Sequence, residues 1–283
     1  MVPRNVHFAL VVAYHGPDFH GWQAQEGQRT VEGSLREAAT PLFQGAFRCR
    51  AAGRTDAGVH ARDQRVLLAG LCRHAADTLM KALNARLPDG IAVTRCIEVS
   101  ADWDPKSGSF AKQYRYLIWR GPFLPPTLRQ RVWWLQGRSP LNENSIRRAA
   151  AHLCGELDYE SFRSSHCQAK HAKRCIWQLD FQFETNDSIL AHEDASSRLA
   201  SFTITGNAFC QHQVRIMVGT LVEVGLGRRI PDSMIETLAM RDRRAAGRTA
   251  PAEGLTLYRV FFPGEEALSA VPDDVRWPGC PWS

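Results

Sequence analysis

The stretch VHFALVVAY, residues 6–14, reads as a buried strand, a short valine-rich apolar run. Beyond it, residues 31–43 read as a helix with Val31, Leu35, Ala38 and Leu42 on one face, although Pro41 weakens its last turn. Short strands fit 47–52 and 65–70. A helix begins near Asp77, keeps Leu79, Leu83 and Leu87 in register and ends at Pro88, and strand 91–99 closes this half. The order is β-α-β-β-α-β. After the polar stretch SADWDPKSGS, strands are predicted at 112–119 and near 130–135, a helix at 142–154 with an Asn142 cap, and strands at 175–184 and 199–205. Helix 210–225, a short helix after Pro231 and strand 255–262 complete a second half that repeats the order of the first with longer insertions. The expected fold class is α+β: two similar lobes, each an antiparallel sheet with helices packed on one face in a split βαβ unit, with a central cleft. Residues 1–105 are the expected N-terminal α/β lobe, 106–264 the C-terminal α/β lobe that completes the cleft, and 265–283 a C-terminal tail. No sequence identity between the halves supports a duplication, so the repeat is an inference from architecture.

Length and composition suit a folded globule. The 283 residues leave room for one large domain or two compact ones, and 44% hydrophobic with 23% charged residues can supply a core. No apolar run approaches the roughly 20 residues that span a bilayer, and the start MVPRNVHFALVVAYHGPD lacks the features of a signal peptide. A soluble cytoplasmic protein without a membrane partner is expected. Thirty-five Lys and Arg against 29 Asp and Glu give +6, and residues 1–264 alone carry 34 against 25, or +9. That balance permits a polyanion partner without demanding one. Eight cysteines are scattered without a CxxC pair, which points to reduced thiols, mostly in the core.

The densest chemical signal is AAGRTDAGVHARDQ, residues 51–64. Gly53 and Gly58 admit backbone angles closed to other residues and can bend the chain around Arg54, Thr55 and Asp56. One outcome is a sharply held carboxylate, with His60 adding a polar group nearby. The other is a glycine-rich hairpin in which Asp56 bonds its own backbone. The segment lacks the lysine and hydroxyl of a P-loop, and the glycines at 219, 225 and 227 do not form a dinucleotide fingerprint. His60 and Asp63 have no third and fourth ligand at sensible spacing, so no metal site is expected.

Arg215 interrupts the apolar helix FCQHQVRIMVGTLVEVG, residues 209–225. A guanidinium cannot shed its charge by losing a proton, and burying it without an anion is costly. It faces either an anion, from the protein or a phosphate, or a narrow wet strip shared with His212 and Gln213. In KQYRYLIW, 112–119, alternation puts Lys112, Tyr114, Tyr116 and Ile118 on one side; Tyr114 is a core aromatic or a ring beside the cleft. RSSHCQAKHAKR, 163–174, gathers Arg163, Lys170, Lys173 and Arg174 in a loop that suits phosphate contacts or a solvated surface. Leu255, in AEGLTLYRVFF, is a core leucine or an apolar floor for a ring whose upper side meets Tyr114.

Seven stretches share a further property: YHGPDFHGWQAQ at 14–25, AGRTDAGVHARDQ at 52–64, LNARLP at 83–88, YRYLIW at 114–119, DYESFRSS at 158–165, NAFCQHQVRIMVG at 207–219 and AEGLTL at 252–257. Through nearly the whole chain, and in the same order, they resemble the TruA family of tRNA pseudouridine synthases. The resemblance implies an isomerase that converts uridine to pseudouridine at positions 38, 39 and 40 of the anticodon stem-loop of tRNA. It also implies no metal or organic cofactor, and a homodimer whose two subunits both contact one tRNA. By the same likeness Asp56 is the catalytic aspartate, Tyr114 the tyrosine against the target base, and Arg215 the basic partner of the aspartate. Leu255 corresponds to the apolar residue beneath the uracil and Arg54 to the arginine beside the catalytic residue. Lys106, Arg163, Lys170 and His60 join them as candidate substrate contacts. The chain departs where family members usually read Phe-His-Ala-Arg-Phe-Ser: Trp103, Asp104, Pro105, Lys106, Ser107 and Gly108 keep an aromatic and a basic residue but lose the arginine fork. Segment 186–198 is longer than usual. Two other classes remain open, a noncatalytic RNA-binding module and a metabolic nucleotide enzyme.

Overall fold

The structure, a computed structural model, describes residues 2–137, 139–184 and 198–263. In chain order its elements are β1 (Arg4–Tyr14), α1 (Val31–Ala39), β2 (Phe43–Ala51), β3 (His60–Cys72), α2 (Ala76–Asn84), β4 (Ile91–Glu98), β5 (Ala111–Arg120) and β6 (Trp133–Trp134). There follow α3 (Glu143–Ala151), β7 (Gly155–Asp158), β8 (Lys173–Phe183), β9 (Arg198–Gly206), α4 (Gln213–Gly225), α5 (Ser233–Met240) and β10 (Leu255–Phe261). Side-chain oxygens of Thr30 and Asn142 cap α1 and α3 by accepting from Gly33 N and Ser145 N. Pro41, with no N–H to donate, turns the predicted end of the first helix into a 3-10 turn at Thr40–Leu42. The strand predicted near 130–135 shrinks to the two residues of β6, and the polar segment 155–158 forms β7, which periodicity does not reveal.

Strand order is the same in both halves. The first runs β4-β1-β3-β2 and the second β10-β5-β9-β8, with every neighbouring pair antiparallel, as a split βαβ unit requires. The expectation of a separate sheet in each half is corrected: the strands of the described residues form one ten-stranded sheet. The reason lies in the length of β3. Its later residues pair with β2, while His60 and Ala61 at its start pair in parallel with Thr256 and Leu257 of β10. Open sheet edges are rows of unpaired N–H and C=O groups, and here the edge of each half satisfies the other.

Phe8, Leu10 and Val12 of β1 and Tyr116 and Ile118 of β5 share one core with Leu35 of α1, Leu79 and Leu83 of α2, Ile146 of α3 and Met217 and Leu221 of α4. These four helices therefore cover one face of the sheet, and each such buried side chain contributes roughly 2 kcal/mol. Ala9 and Val11 point the other way, towards Ile97 and Trp103. A buried ion pair fastens the seam between the halves. The Arg65 side chain, 1% exposed, bonds Asp63 on the same strand, and Asp63 Oδ2 accepts from Val260 N of β10 at 3.0 Å. A charge this deep is tolerable only when paired and hydrogen-bonded.

Cys49, Cys72, Cys96 and Cys210 are buried free thiols, and Cys154 and Cys167 are free thiols that are partly buried. Cys280, the tail at 265–283 and all of segment 186–198 except Arg198 lie outside the described residues. Among the described residues no helix is long and apolar enough to cross a membrane.

Candidate active site

The loop between β2 and β3, the turn leading into α4 and the start of β10 meet at a cleft of about 1440 Å³. Asp56 enters it from the loop and Arg215 from the first turn of α4, with Arg215 Nη1 3.5 Å from Asp56 Oδ2. Arg215 is further held by its Nε, which donates to Ala250 O at 2.8 Å, while its own carbonyl accepts from Ala250 N at 3.0 Å. The cationic group is thus fixed by backbone and turns Nη1 to the carboxylate. Of the two neighbours expected to share a wet strip, Gln213 is buried, its Oε1 accepting from Cys210 N at 2.8 Å. The other, His212, lines the cleft with Nε2 3.7 Å from Asp56 Oδ2.

The Asp56 loop is held from outside as well as by its own turn. Thr55 Oγ1 lies 2.7 Å from Tyr14 Oη, Trp22 N donates to Thr55 O at 3.1 Å, and Val59 N closes the turn on Asp56 O at 3.2 Å. Gly58 adopts a left-handed φ of 78°, but the sequence-based expectation fails for Gly53, which is not left-handed; there the missing Cβ makes room for Lys112. Gly21, with φ 85°, passes so near that a Cβ would stand 2.7 Å from Thr55 O.

Tyr114 and Leu255 sit on the paired strands β5 and β10, where Tyr114 opposes Leu257 and Tyr116 opposes Leu255. Directly paired residues share a face, and both Tyr114 and Leu255 line the cleft. Phe209 meets Tyr114 edge to face with ring centres 5.1 Å apart. Burial raises the Tyr114 phenol above its ordinary pKa, with Tyr14 and Asp56 pushing the same way, so the hydroxyl is neutral at physiological pH. Tyr116 is tied elsewhere, donating to Pro251 O at 2.8 Å.

Arg54 and Lys106 are exposed and line the cleft. The unusual 103–108 segment is organised by Asp104, whose Oδ1 accepts from Lys106 N at 2.9 Å and Ser107 N at 2.8 Å. Asp104 Oδ2 pairs with Arg50 Nη1 at 2.6 Å, which sets Arg50, a cleft residue that sequence patterning does not single out, beside the loop. Nearby, burial and then Lys106 push the Lys112 ammonium down to about 8.

Three expected contacts lie elsewhere. His60 is the first residue of β3 and is buried; its Nδ1 accepts from Gly16 N at 3.2 Å, leaving Nε2–H to donate to Glu253 O at 3.1 Å. Burial, then the neighbouring His15, pushes this imidazole down to about 4. Arg163 is engaged by Glu160 at 2.7 Å and Ala169 O at 2.9 Å, and Lys170 is exposed away from the cleft lining. From that basic loop His166, Gln168 and Ala169 reach the cleft instead. Among the described residues no group of three His, Cys, Asp or Glu is gathered as metal ligands.

A family model described as tRNA pseudouridine synthase matches residues 10–106 and 149–263. The chain belongs to the tRNA pseudouridine synthase family. Curated relatives named tRNA pseudouridine synthase A include one from Myxococcus xanthus, 37% identical over 253 residues, covering 89% of this chain and 91% of the relative. Another, from Bordetella petrii, is 38% identical over 264 residues, covering 92% and 93%. A third, from Rhodospirillum rubrum, is 41% identical over 267 residues, covering 94% and 91%. Asp56, Arg215 and Leu255 fall within the residues matched to the tRNA pseudouridine synthase family, and Tyr114 falls between them. Members of this family are isomerases of tRNA uridine, and the chain is an enzyme of that class.

Proposed function

We propose that this synthase isomerises uridine at positions 38, 39 and 40 of the anticodon stem-loop of tRNA, with Asp56 as its catalytic anion. In this proposal it works in the cytoplasm as a homodimer, the 1–105 and 106–264 parts of each subunit forming the two lobes that flank the cleft. The observation that carries the reading is the Asp56–Arg215 pair at 3.5 Å, inside a cleft that also holds Tyr114 and Leu255.

Pseudouridine formation breaks the C1′–N1 bond, turns the uracil and joins C5 to C1′. The uracil leaves with the bonding electron pair and returns through C5, so the site must keep water from the separated fragments. Asp56 either attacks C1′ or the base, the bond it forms breaking by the time C5 is joined to C1′, or removes the C2′ proton to give a glycal and returns it to C2′ as C5 adds to C1′. Each route needs the carboxylate as an anion, and the Arg215 guanidinium lies against it at 3.5 Å. A stem nucleotide must first leave its stack, at a cost of a few kcal/mol. Leu255 and Tyr114 offer faces for the extruded ring, while Arg54, Arg50 and Lys106 offer charge to the distorted backbone. After C5 bonds to C1′, its proton leaves and the electron pair restores the C5–C6 double bond; as a neutral phenol, Tyr114 is a weak acceptor for that proton.

Anticodon stem-loop RNAs carrying a single uridine at each position test the reading directly. Pseudouridine mapped to positions 38, 39 and 40 is the expected product. RNA bound but left unmodified would indicate a noncatalytic RNA-binding module, and turnover of free UMP a metabolic nucleotide enzyme.

A further inference from the structure

His212 precedes α4 with φ 61° and ψ 0°, in the left-handed region that residues other than glycine and asparagine enter at a cost. The ring that this backbone carries is half-buried and lines the cleft. Its Nε2 stands 3.7 Å from Asp56 Oδ2, the same oxygen that Arg215 Nη1 approaches at 3.5 Å. Two donors therefore converge on one carboxylate oxygen, and neither of these contacts involves Oδ1.

We propose that His212 is a positioning residue for Asp56: when RNA fills the cleft, its Nε2–H donates to Oδ2 beside the Arg215 guanidinium and presents Oδ1 to the ribose. The proposal rests on Asp56 being the catalytic group. A separation of 3.7 Å exceeds hydrogen-bond length, but catalytic hydrogen bonds commonly shorten when substrate is bound.

The charges around the ring decide its form. Burial most strongly disfavours the imidazolium; Asp56 favours it, and Arg215 on α4, Arg243 from the turn at 243–245 and His166 from the 163–174 loop oppose it. The net direction is downward, so His212 is neutral at physiological pH and gives Asp56 a hydrogen bond without a second full positive charge. Protonation on acidification adds that charge and makes the carboxylate a poorer nucleophile or base. Part of the acid limb of the rate profile then belongs to His212.

His212→Gly suits the left-handed backbone but carries no donor, whereas His212→Gln keeps an amide N–H at the reach of Nε2. Single-turnover rates on anticodon stem-loop RNA from pH 5 to 8, RNA affinity and thermal melting are measured for both, for the unaltered protein and for Asp56→Asn. The glycine variant is expected to lose roughly tenfold in rate at pH 7.5 with affinity within about twofold. The glutamine variant should recover most of that rate and shift its acid limb to lower pH. A glycine variant with the rate and acid limb of the unaltered protein overturns the proposal, as does a glutamine variant that melts like the unaltered protein yet is as slow as the glycine one. Turnover by Asp56→Asn removes the role of Asp56 itself, whereas an inactive Asp56→Asn beside a fully active His212→Gly removes only the role of His212.

Discussion

Arg215 meets Asp56 at 3.5 Å across 159 residues of chain, and each is anchored independently of the other. Arg215 is clamped by both polar backbone atoms of Ala250, and the Asp56 loop is fastened through Thr55 to Tyr14 and Trp22. The geometry is therefore set before the charges meet, which is what preorganised electrostatic catalysis requires.

Replacing Asp56 by asparagine preserves the shape and the anchors but removes the anion. Turnover should fall on the order of 10³-fold or more, with tRNA affinity nearly unchanged. Quench-flow product analysis beside filter binding checks both halves of this expectation, and appreciable remaining turnover defeats the assignment.

Arg215→Ala should damage stability and rate together. The lost hydrogen bonds to Ala250 O and Asp56 amount to about 1–3 kcal/mol, moderated because both side chains keep some solvent contact. Urea denaturation followed by single-turnover kinetics measures the two effects, and a variant unaltered in both would mean that the pair does nothing.

Gly21→Ala places a methyl group 2.7 Å from Thr55 O at a φ of 85°. Strain of about 1–2 kcal/mol is expected, together with a shift of the Asp56 loop that slows the rate by roughly tenfold to a hundredfold. A crystal structure of the variant with Asp56 undisplaced and full activity would show that the loop is not supported from this side.

His60 supplies a pH dependence of stability. The unfolded imidazole takes up a proton near pH 6.5 and the folded one only near 4, so stability present above pH 6.5 is lost as pH falls through that window. By pH 5 the loss is about 2 kcal/mol. His60→Gln should flatten the melting temperature between pH 7 and 5 relative to the unaltered protein; equal slopes would contradict the assignment of this residue to the fold.

Asp63→Ala takes from Arg65 a buried carboxylate partner and from Val260 N its acceptor. A cost of about 3 kcal/mol or more is expected. Chemical denaturation gives the value, and hydrogen exchange at Val260 should speed up selectively; protection equal to that of the unaltered protein would place the strength of the seam elsewhere.

The order of elements was legible because apolar spacing alone marks β1, the long strands and the amphipathic helices. Arg215 stood out because an unneutralised cation in an apolar helix demands an explanation, and the family likeness of AGRTDAGVH supplied the anion. The joining of the two sheets was not legible. It rests on two residue pairs, Thr256 with His60 and Leu257 with Ala61, and no pattern in either segment announces a partner so distant. The same pairing explains His60: β3 begins five residues before the predicted strand, so this side chain belongs to a strand end sealed against Gly16 and Glu253 rather than to an open loop. Arg163 carried the right charge for RNA, but Glu160, three residues earlier, captures it through a short turn. His212 was legible only as part of a polar strip beside Arg215, because a left-handed backbone at a histidine cannot be read from composition.

The position of β10 in the chain bears on biosynthesis. Leu255 and the pairing that joins β3 to the second half belong to the last strand described, so a nascent polypeptide still attached to the ribosome lacks the complete cleft until that strand emerges. Translation arrested upstream of residue 255 leaves a product without Leu255 and without the strand that joins β3 to β5.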